Sequence, residues 1–440
     1  CRRAEGGFVA NQGTVRPGGM KTTPLLFLSL PRHDEAFTST PWQLAVTLAK
    51  SREVFFCDAP YTWVEALKGI LKPAIRRRWA GYFGKSAQRK EGVTIVVAPF
   101  ILPSNFLPAG RIHNWVTRLN EHLVANRVNR VLAQCKCAQI DYINSFCYGL
   151  PLLFRKINPA VGSNVYHCID PMVKQFTLKH GPRLQMIAAA QANVIVVTSP
   201  SLAFQFNKPG LPPVFCIPNA ANVRLFEKAQ LPQTPIHASV RDQRGKILGY
   251  LGNIERRIDA TLLVETMNLL PDWQLIMAGP VDKSYLPQHF LQHPRIIFTG
   301  PCRHDEAPGL IKRFDVAIIP FLCDEVSSGI YPLKLYEYLA AGKPVVCTNF
   351  NPAVLNTLTD VVSVVHSAHE FAARVDQLYL QNNDQQRHLR TAVAGKNTWQ
   401  DRAATWSDIL SKNQAYGNPQ GATPIKSATE TVHLAADLPV

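Results

Sequence analysis

Residues Val326–Thr348 read VSSGIYPLKLYEYLAAGKPVVCT, and this stretch decides the fold. Ser327, Ser328 and Gly329 are small and predict a polar loop. Pro332 suits the first turn of a helix, where a missing N–H goes unnoticed. Gly342 predicts a left-handed helix cap, with Pro344 just beyond it. Pro344–Cys347 then reads as a short buried strand. The order is loop, helix N-terminus, helix, strand. A helix that starts behind a Ser/Gly loop offers free N–H groups and the positive end of its dipole, which suits a diphosphate. Lys334 adds charge there. Glu337 follows one turn later and can accept two hydrogen bonds at once, as a pair of sugar hydroxyls requires. The alternative is a plain surface pair between Lys334 and Glu337.

Outward from this stretch, apolar runs alternate with helical patterns. Toward the N-terminus, PLLFLSL (24–30), VFFCD (54–58), 93–98, 140–145, NVYHC (164–168), 191–199 and 214–217 predict strands. A second series, KILGYLG (246–252), WQLIMAG (273–279), IIFTG (296–300), VAIIP (316–320) and 361–365, predicts another sheet. Strand–helix alternation implies parallel sheets with ligands past their carboxyl ends, so Pro31–Ser39 should face a cleft. The chain lacks a G-x-G-x-x-G here, which argues against a dinucleotide fingerprint.

At 440 residues the chain is long enough for two cores. The expected division is 1–20 as a disordered or mis-annotated start, 21–230 as a first domain and 231–245 as a polar linker. A second domain follows over 246–385, then a helix over 386–412 that returns to the first domain and a disordered tail over 413–440. No run of about 18 apolar residues exists to span a membrane. Ten cysteines fall in no paired metal spacing, Cys135-Lys136-Cys137 being isolated, and this predicts free thiols and a reduced, cytosolic protein. No metal or cofactor is expected.

The formal charge is +16, which favours acidic partners. It concentrates in ALKGILKPAIRRRWAGYFGKSAQRK (66–90), where Arg76, Arg77 and Arg78 meet Trp79, and other basic residues alternate with apolar ones. Such a stretch suits an anionic membrane surface. The alternative is a solvated basic loop. Nucleic acid is not expected, because no nucleic-acid-binding module accompanies the patch.

PLKLYEYLAAGKPVV (332–346) resembles the donor-site helix of retaining glycosyltransferases of the GT-B fold, in the glycogen-synthase-like, group 1 class. Within that class it is most similar to the bacterial cell-surface polysaccharide branch. Three other elements resemble the family: NVYHCID ending at Asp170, QANVIVVTS (191–199) with Asn193 in place of an Asp, and PNAAN (218–222) without the usual Gly. The resemblance implies an α/β fold of two Rossmann-like doubly wound domains facing across a cleft. It implies that Glu337 holds the nucleotide ribose. His167 and Asp170 would face the cleft as catalytic groups. Gly252, Asn253 and Arg256 or Arg257 would form a donor phosphate loop, completed by Ser327, Ser328, Leu333 and Lys334. Pro301–His304 would pass the nucleobase. The first of the family's paired glutamates falls at Gly329, a departure that touches the choice of sugar.

The implied activity is transfer of a sugar from a nucleoside-diphosphate sugar to a lipid-linked or polysaccharide acceptor, without a metal, on the cytoplasmic face of a membrane. A sugar-nucleotide epimerase of the same fold and a catalytically weak membrane-bound scaffold are the alternatives. Release of nucleoside diphosphate separates the three.

Overall fold

The computed structural model describes residues 22–35, 39–83, 87–172 and 175–415. The expectations for 1–20 and for the tail beyond 415 lie outside these residues.

Two sheets carry the chain. The first contains β1 (Leu25–Ser29), β2 (Val54–Asp58), β3 (Ala87–Lys90), β4 (Val93–Val96), β5 (Gln139–Ser145), β6 (Ala160–Cys168), β7 (Val194–Val197) and β8 (Val214–Cys216), in the order β3-β4-β2-β1-β5-β6-β7-β8. All its pairings are parallel except β3–β4. The antiparallel β3 was not foreseen: its AQRK sequence is exposed and polar, as an edge strand tolerates. The second sheet contains β9 (Lys246–Leu251), β10 (Trp273–Ala278), β11 (Ile296–Gly300), β12 (Val316–Ile319), β13 (Val345–Thr348) and β14 (Val362–Val365), ordered β11-β10-β9-β12-β13-β14. Every pairing there is parallel. Buried runs such as LLFLS and VVCT show why: strands covered on both faces need apolar side chains on both.

The helices used below are α1 (Thr40–Leu48), α2 (Trp63–Lys68), α3 (Pro73–Phe83), α4 (Arg111–Leu132), α5 (Ala260–Leu269), α6 (Leu333–Ala340), α7 (Asp384–Gly395) and α8 (Trp399–Ala415). Asp259 caps α5 by accepting from Leu262 N at 3.0 Å, as expected of an N-cap carboxylate. Gly342 is left-handed, at φ 72°. Its N–H reaches Leu339 O and that of Lys343 reaches Tyr338 O, both at 2.9 Å, so α6 ends in the crossed pair of bonds that a glycine cap permits.

The division between domains differs from expectation at both crossings. Residues 231–245 are not a free linker. Val240 is buried in the core of the second domain, Ile236 packs against it, and His237 N donates to Gly309 O at 3.1 Å. A polar, proline-bearing composition hid those few apolar anchors. The final helical pattern is two helices: α7 packs on α6, and only α8 returns to α1 and β6. The break lies at 396–398, where Thr398 pairs with Ala221 as an isolated bridge. The crossings therefore run side by side, at 217–222 and 396–398.

Candidate active site

The loop before α6 and the helix start face the first domain. Ser327 and Ser328 belong to a one-turn helix, Glu325–Ser328, rather than to an open loop, because Asp324 caps it by accepting from Ser327 N at 2.7 Å. The first domain grips this loop by its carbonyls. Ser199 Oγ donates to Gly329 O at 2.8 Å, Ser201 Oγ to Ser328 O at 2.6 Å, and Asn219 Nδ2 to Tyr331 O at 3.0 Å. Asn219 also accepts from Thr40 Oγ1 at 2.8 Å, tying the start of α1 to the same point. Ser199 and Asn219 lie in two elements quoted for their resemblance to the family, but their hold on this loop was not foreseen, and Ser201 was not singled out. Their roles depend on partners more than a hundred residues away, which no local pattern reveals.

Pro332 is the N-cap of α6, extended at φ −79° and ψ 111°, and Leu333 is the first helical residue. Among the described residues, the N–H groups of Leu333 and Lys334 meet no backbone acceptor. The Leu333 side chain turns away and packs on the first domain's core. Only its backbone is placed for a ligand.

Lys334 lies over the end of β9. Its Nζ sits 5.5 Å from the ring centres of both Tyr250 and Phe321. Gly252, at φ 149°, leaves the room: a Cβ there would overlap Lys334 Cε and lie 2.7 Å from Nζ. Lys334 Nζ makes no hydrogen bond or ion pair among the described residues, and neither does the Glu337 carboxylate. Burial, together with the neighbouring Arg257 charge, lowers the Lys334 pKa to about 8. Burial raises that of Glu337 to about 7, against the pull of Lys334. These are charges held in protein surroundings without a closing partner.

Of the two arginines in the turn after β9, Arg257 faces this point. It ion-pairs with Glu255, lies over the Phe321 ring at 5.6 Å, and acts on both Lys334 and Asp170. Arg256 leans instead to Asp324, at 4.0 Å, with its Nη2 buried and unbonded. Asn253 is exposed, and its carbonyl accepts from Tyr250 Oη at 2.8 Å. Ser327 Oγ is buried without a partner, whereas Ser328 Oγ donates to Glu325 O at 2.7 Å within its own turn.

Asp170 reaches toward this cluster from the first domain. Its side chain opens to water but is walled by protein, and this desolvation raises its pKa to about 6 against Arg257 and Lys334. His167 does not join it, contrary to expectation. It is 1% exposed, bonded to Ser145 Oγ at 3.0 Å, and covered by the edge of Trp406 at 4.9 Å. Burial lowers its pKa to about 3, so it stays neutral. Tyr166 is likewise buried, against Phe206. The reason is the period of two: β6 is covered on both faces, so its alternate side chains go into one core or the other. Only residues past the strand end reach the cleft.

The basic segment is divided rather than presented as one patch. Arg78 is 6% exposed and bonds Asp34 (2.6 Å) and Asp58, while Arg77 bonds Asp34 at 2.7 Å. Trp79 packs on Trp63 and Phe100, at 5.7 and 4.6 Å between ring centres. Arg78 and Trp79 are therefore interior, and of the four expected surface residues only Arg76 stands free in solvent. The described residues of the loop after β1 do face the cleft. Arg32, His33 and Glu35 line an interdomain cavity of about 660 Å³ together with Arg303, His304 and Asp305 of the second domain. No member of the Lys334 cluster lines this cavity.

Known proteins bear on this arrangement. Residues 245–381 match the family model for glycosyl transferases of group 1. TuaH of Bacillus subtilis (strain 168), a protein named for a glycosyltransferase role in teichuronic acid biosynthesis, is 28% identical over 255 residues. That alignment covers 53% of this chain and 63% of TuaH, less than two thirds of that relative. Among solved structures, sucrose-phosphate synthase from Thermosynechococcus elongatus superposes with a TM-score of 0.63 at 13% identity, covering 90% of this chain and 100% of that one. An E. coli structure titled for trehalose-6-phosphate, bound with UDP-2-fluoro glucose, gives 0.61 at 11% identity, over 88% and 99%. At such identities the structural likeness speaks for the fold, which is the two-domain GT-B arrangement.

Proposed function

We propose that the protein is a glycosyltransferase that takes a sugar from a nucleoside-diphosphate sugar and passes it, with retention of anomeric configuration, to a lipid-linked or polysaccharide acceptor. One observation carries this reading. The free N-terminus of α6, Lys334, Arg257 and Glu337 converge with Asp170 across the domain boundary, and most of their charges lack a closing partner. A buried charge without a partner is unfavourable unless something completes it, and a diphosphate with its ribose has the matching groups.

In this reading the diphosphate lies against the start of α6. As the glycosidic bond breaks, negative charge gathers on the leaving oxygens, and Lys334, Arg257 and the helix N–H groups stabilise it. Glu337 accepts from the ribose hydroxyls. Asp170 is the first-domain group that would touch the sugar or the attacking hydroxyl, and burial brings its pKa up to about 6, closer to neutral pH than an ordinary carboxyl. The match to a group 1 family model, and the UDP-sugar named with one structural neighbour, support the donor class. The relative named for teichuronic acid biosynthesis supports a polymeric or lipid-linked acceptor.

The test is release of nucleoside diphosphate from a panel of nucleotide sugars by the purified protein. Release that depends on Lys334 is expected. No release from any donor would overturn the reading, and an isomerised donor without release would assign an epimerase.

A further inference from the structure

Large apolar side chains stand in solvent at one end of the first domain. Leu67, Ile70 and Leu71 protrude from α2 and the turn after it, with Leu71 85% exposed. Phe106 is 70% exposed in the loop before α4, Ile112 and Trp115 protrude from the first turns of that helix, and Phe176 is 74% exposed in the short helix Gln175–Leu178. Hydrogen bonds join these segments into one rim. Trp63 N donates to Ile101 O at 2.9 Å. Asn120 of α4 bonds both the N–H and the carbonyl of Leu102 at 2.9 Å. Asn105 Nδ2 donates to Phe176 O at 2.9 Å, and Lys179 Nζ to Phe106 O at 3.0 Å. A notch of about 410 Å³ opens among Asn105, Phe106, Phe176 and Lys179. Single exposed apolar residues are ordinary on a protein surface; a joined set marks contact with something apolar.

Charge and topology identify that contact. Lys68, Lys72, Arg76, Arg111 and Lys179 are exposed among the apolar residues. The one acid of α2, Glu65, is bound to Thr62 in a capping box. A second copy of the chain would set these cations against their own kind, and residues 1–21 carry four Lys and Arg against one Glu. An anionic lipid surface complements both features. The rim also follows the carboxyl ends of β2, β4 and β6, the end that carries Asp170.

We infer that this rim docks on a bilayer rich in anionic lipid, with Leu71, Phe106, Trp115 and Phe176 entering the boundary of headgroups and acyl chains and the cations lying at the phosphates. The rim takes in the start of the basic stretch expected from sequence, Leu67 to Lys72, but of its Arg76–Trp79 run only Arg76 belongs to it. Its use, holding the cleft mouth where a lipid-linked acceptor is met, rests on the transferase reading; the docking itself does not.

The test is co-sedimentation of the full chain with vesicles of mixed phosphatidylglycerol and phosphatidylcholine, against phosphatidylcholine alone. The wild type is expected to bind the anionic vesicles and to bind the neutral ones more weakly. Phe106→Ser with Trp115→Ser and Phe176→Ser is expected to lower partitioning by at least about tenfold. Lys68→Gln with Lys72→Gln and Arg76→Gln is expected to lower it on anionic vesicles only. These side chains are exposed, so melting temperatures and donor hydrolysis should stay unchanged, which separates failure here from failure of the transferase reading. Absence of wild-type binding, or equal binding by the apolar variant, overturns the proposal. So does a wild-type dimer in sedimentation velocity that the apolar variant turns into monomer, since that gives the rim to a second copy.

Discussion

Arg78 and Lys334 are both cations in largely buried surroundings, one in each domain, and they are held in opposite ways. Arg78 bonds two carboxylates. Burial alone would raise the pKa of Asp34, but its bonds from Arg78 and Arg77 hold it well below the usual carboxylate range. Lys334 has aromatic faces beneath it, another cation beside it and no bonded anion among the described residues, and its pKa moves down instead. The first arrangement is complete without a ligand and belongs to folding. The second is incomplete, and in the proposed transferase reading it serves binding. Burial and charge alone do not tell a functional cation from a structural one; the presence of a closing partner does.

Substitutions can break or sharpen this contrast. The largest effect is expected from Arg78→Ala, which strands Asp34 and Asp58 without their shared cation. It should destabilise the fold by about 3 kcal/mol, seen as a lower urea midpoint. A midpoint unchanged from wild type would show that the cluster is not structural. Lys334→Ala should leave that midpoint in place and lower donor turnover by about 10²-fold, read as nucleoside diphosphate release. If Lys334→Ala unfolds the protein instead, the two cations are alike after all.

Glu337→Gln should weaken donor affinity by about tenfold in calorimetry, roughly 1.4 kcal/mol. It should also change the pH profile. In the wild type, affinity should fall below about pH 7 as Glu337 gains its proton, and above about pH 8 as Lys334 loses one. Glu337→Gln removes the acid limb. It also withdraws the anion that favours charged Lys334, so the alkaline limb moves to lower pH. The smallest effect is expected from Arg77→Ala. Its side chain is 51% exposed and shares Asp34 with Arg78, so the midpoint should move by less than about 1 kcal/mol. A loss as large as that of Arg78→Ala would mean that the partners, not burial, set the difference.

Much of this was legible before any coordinates. Gly342 stands where a left-handed cap ends α6, and Asp259 caps α5. The apolar runs became two parallel sheets, because a strand buried on both faces must be apolar throughout. α6 starts at Leu333, just after Pro332, as the punctuation there implied. These features depend on residues within a turn or two of one another, and the chain writes such information in order.

What only the tertiary structure decided depends on partners far apart in sequence. RRRW at 76–79 looks uniform, yet Asp34 and Asp58 draw Arg78 inward, Trp63 and Phe100 take Trp79, and Arg76 is left in solvent. His167 and Asp170 are three residues apart, but one lies under Trp406 and the other past the strand end, facing Arg257 and Lys334. The choice of Arg257 over Arg256 has the same origin. By itself the sequence determined which runs are buried and the helix ends that Gly342 and Asp259 mark, because backbone geometry and apolar period are local. It left open which charges find partners, because a partner is a matter of distance in space.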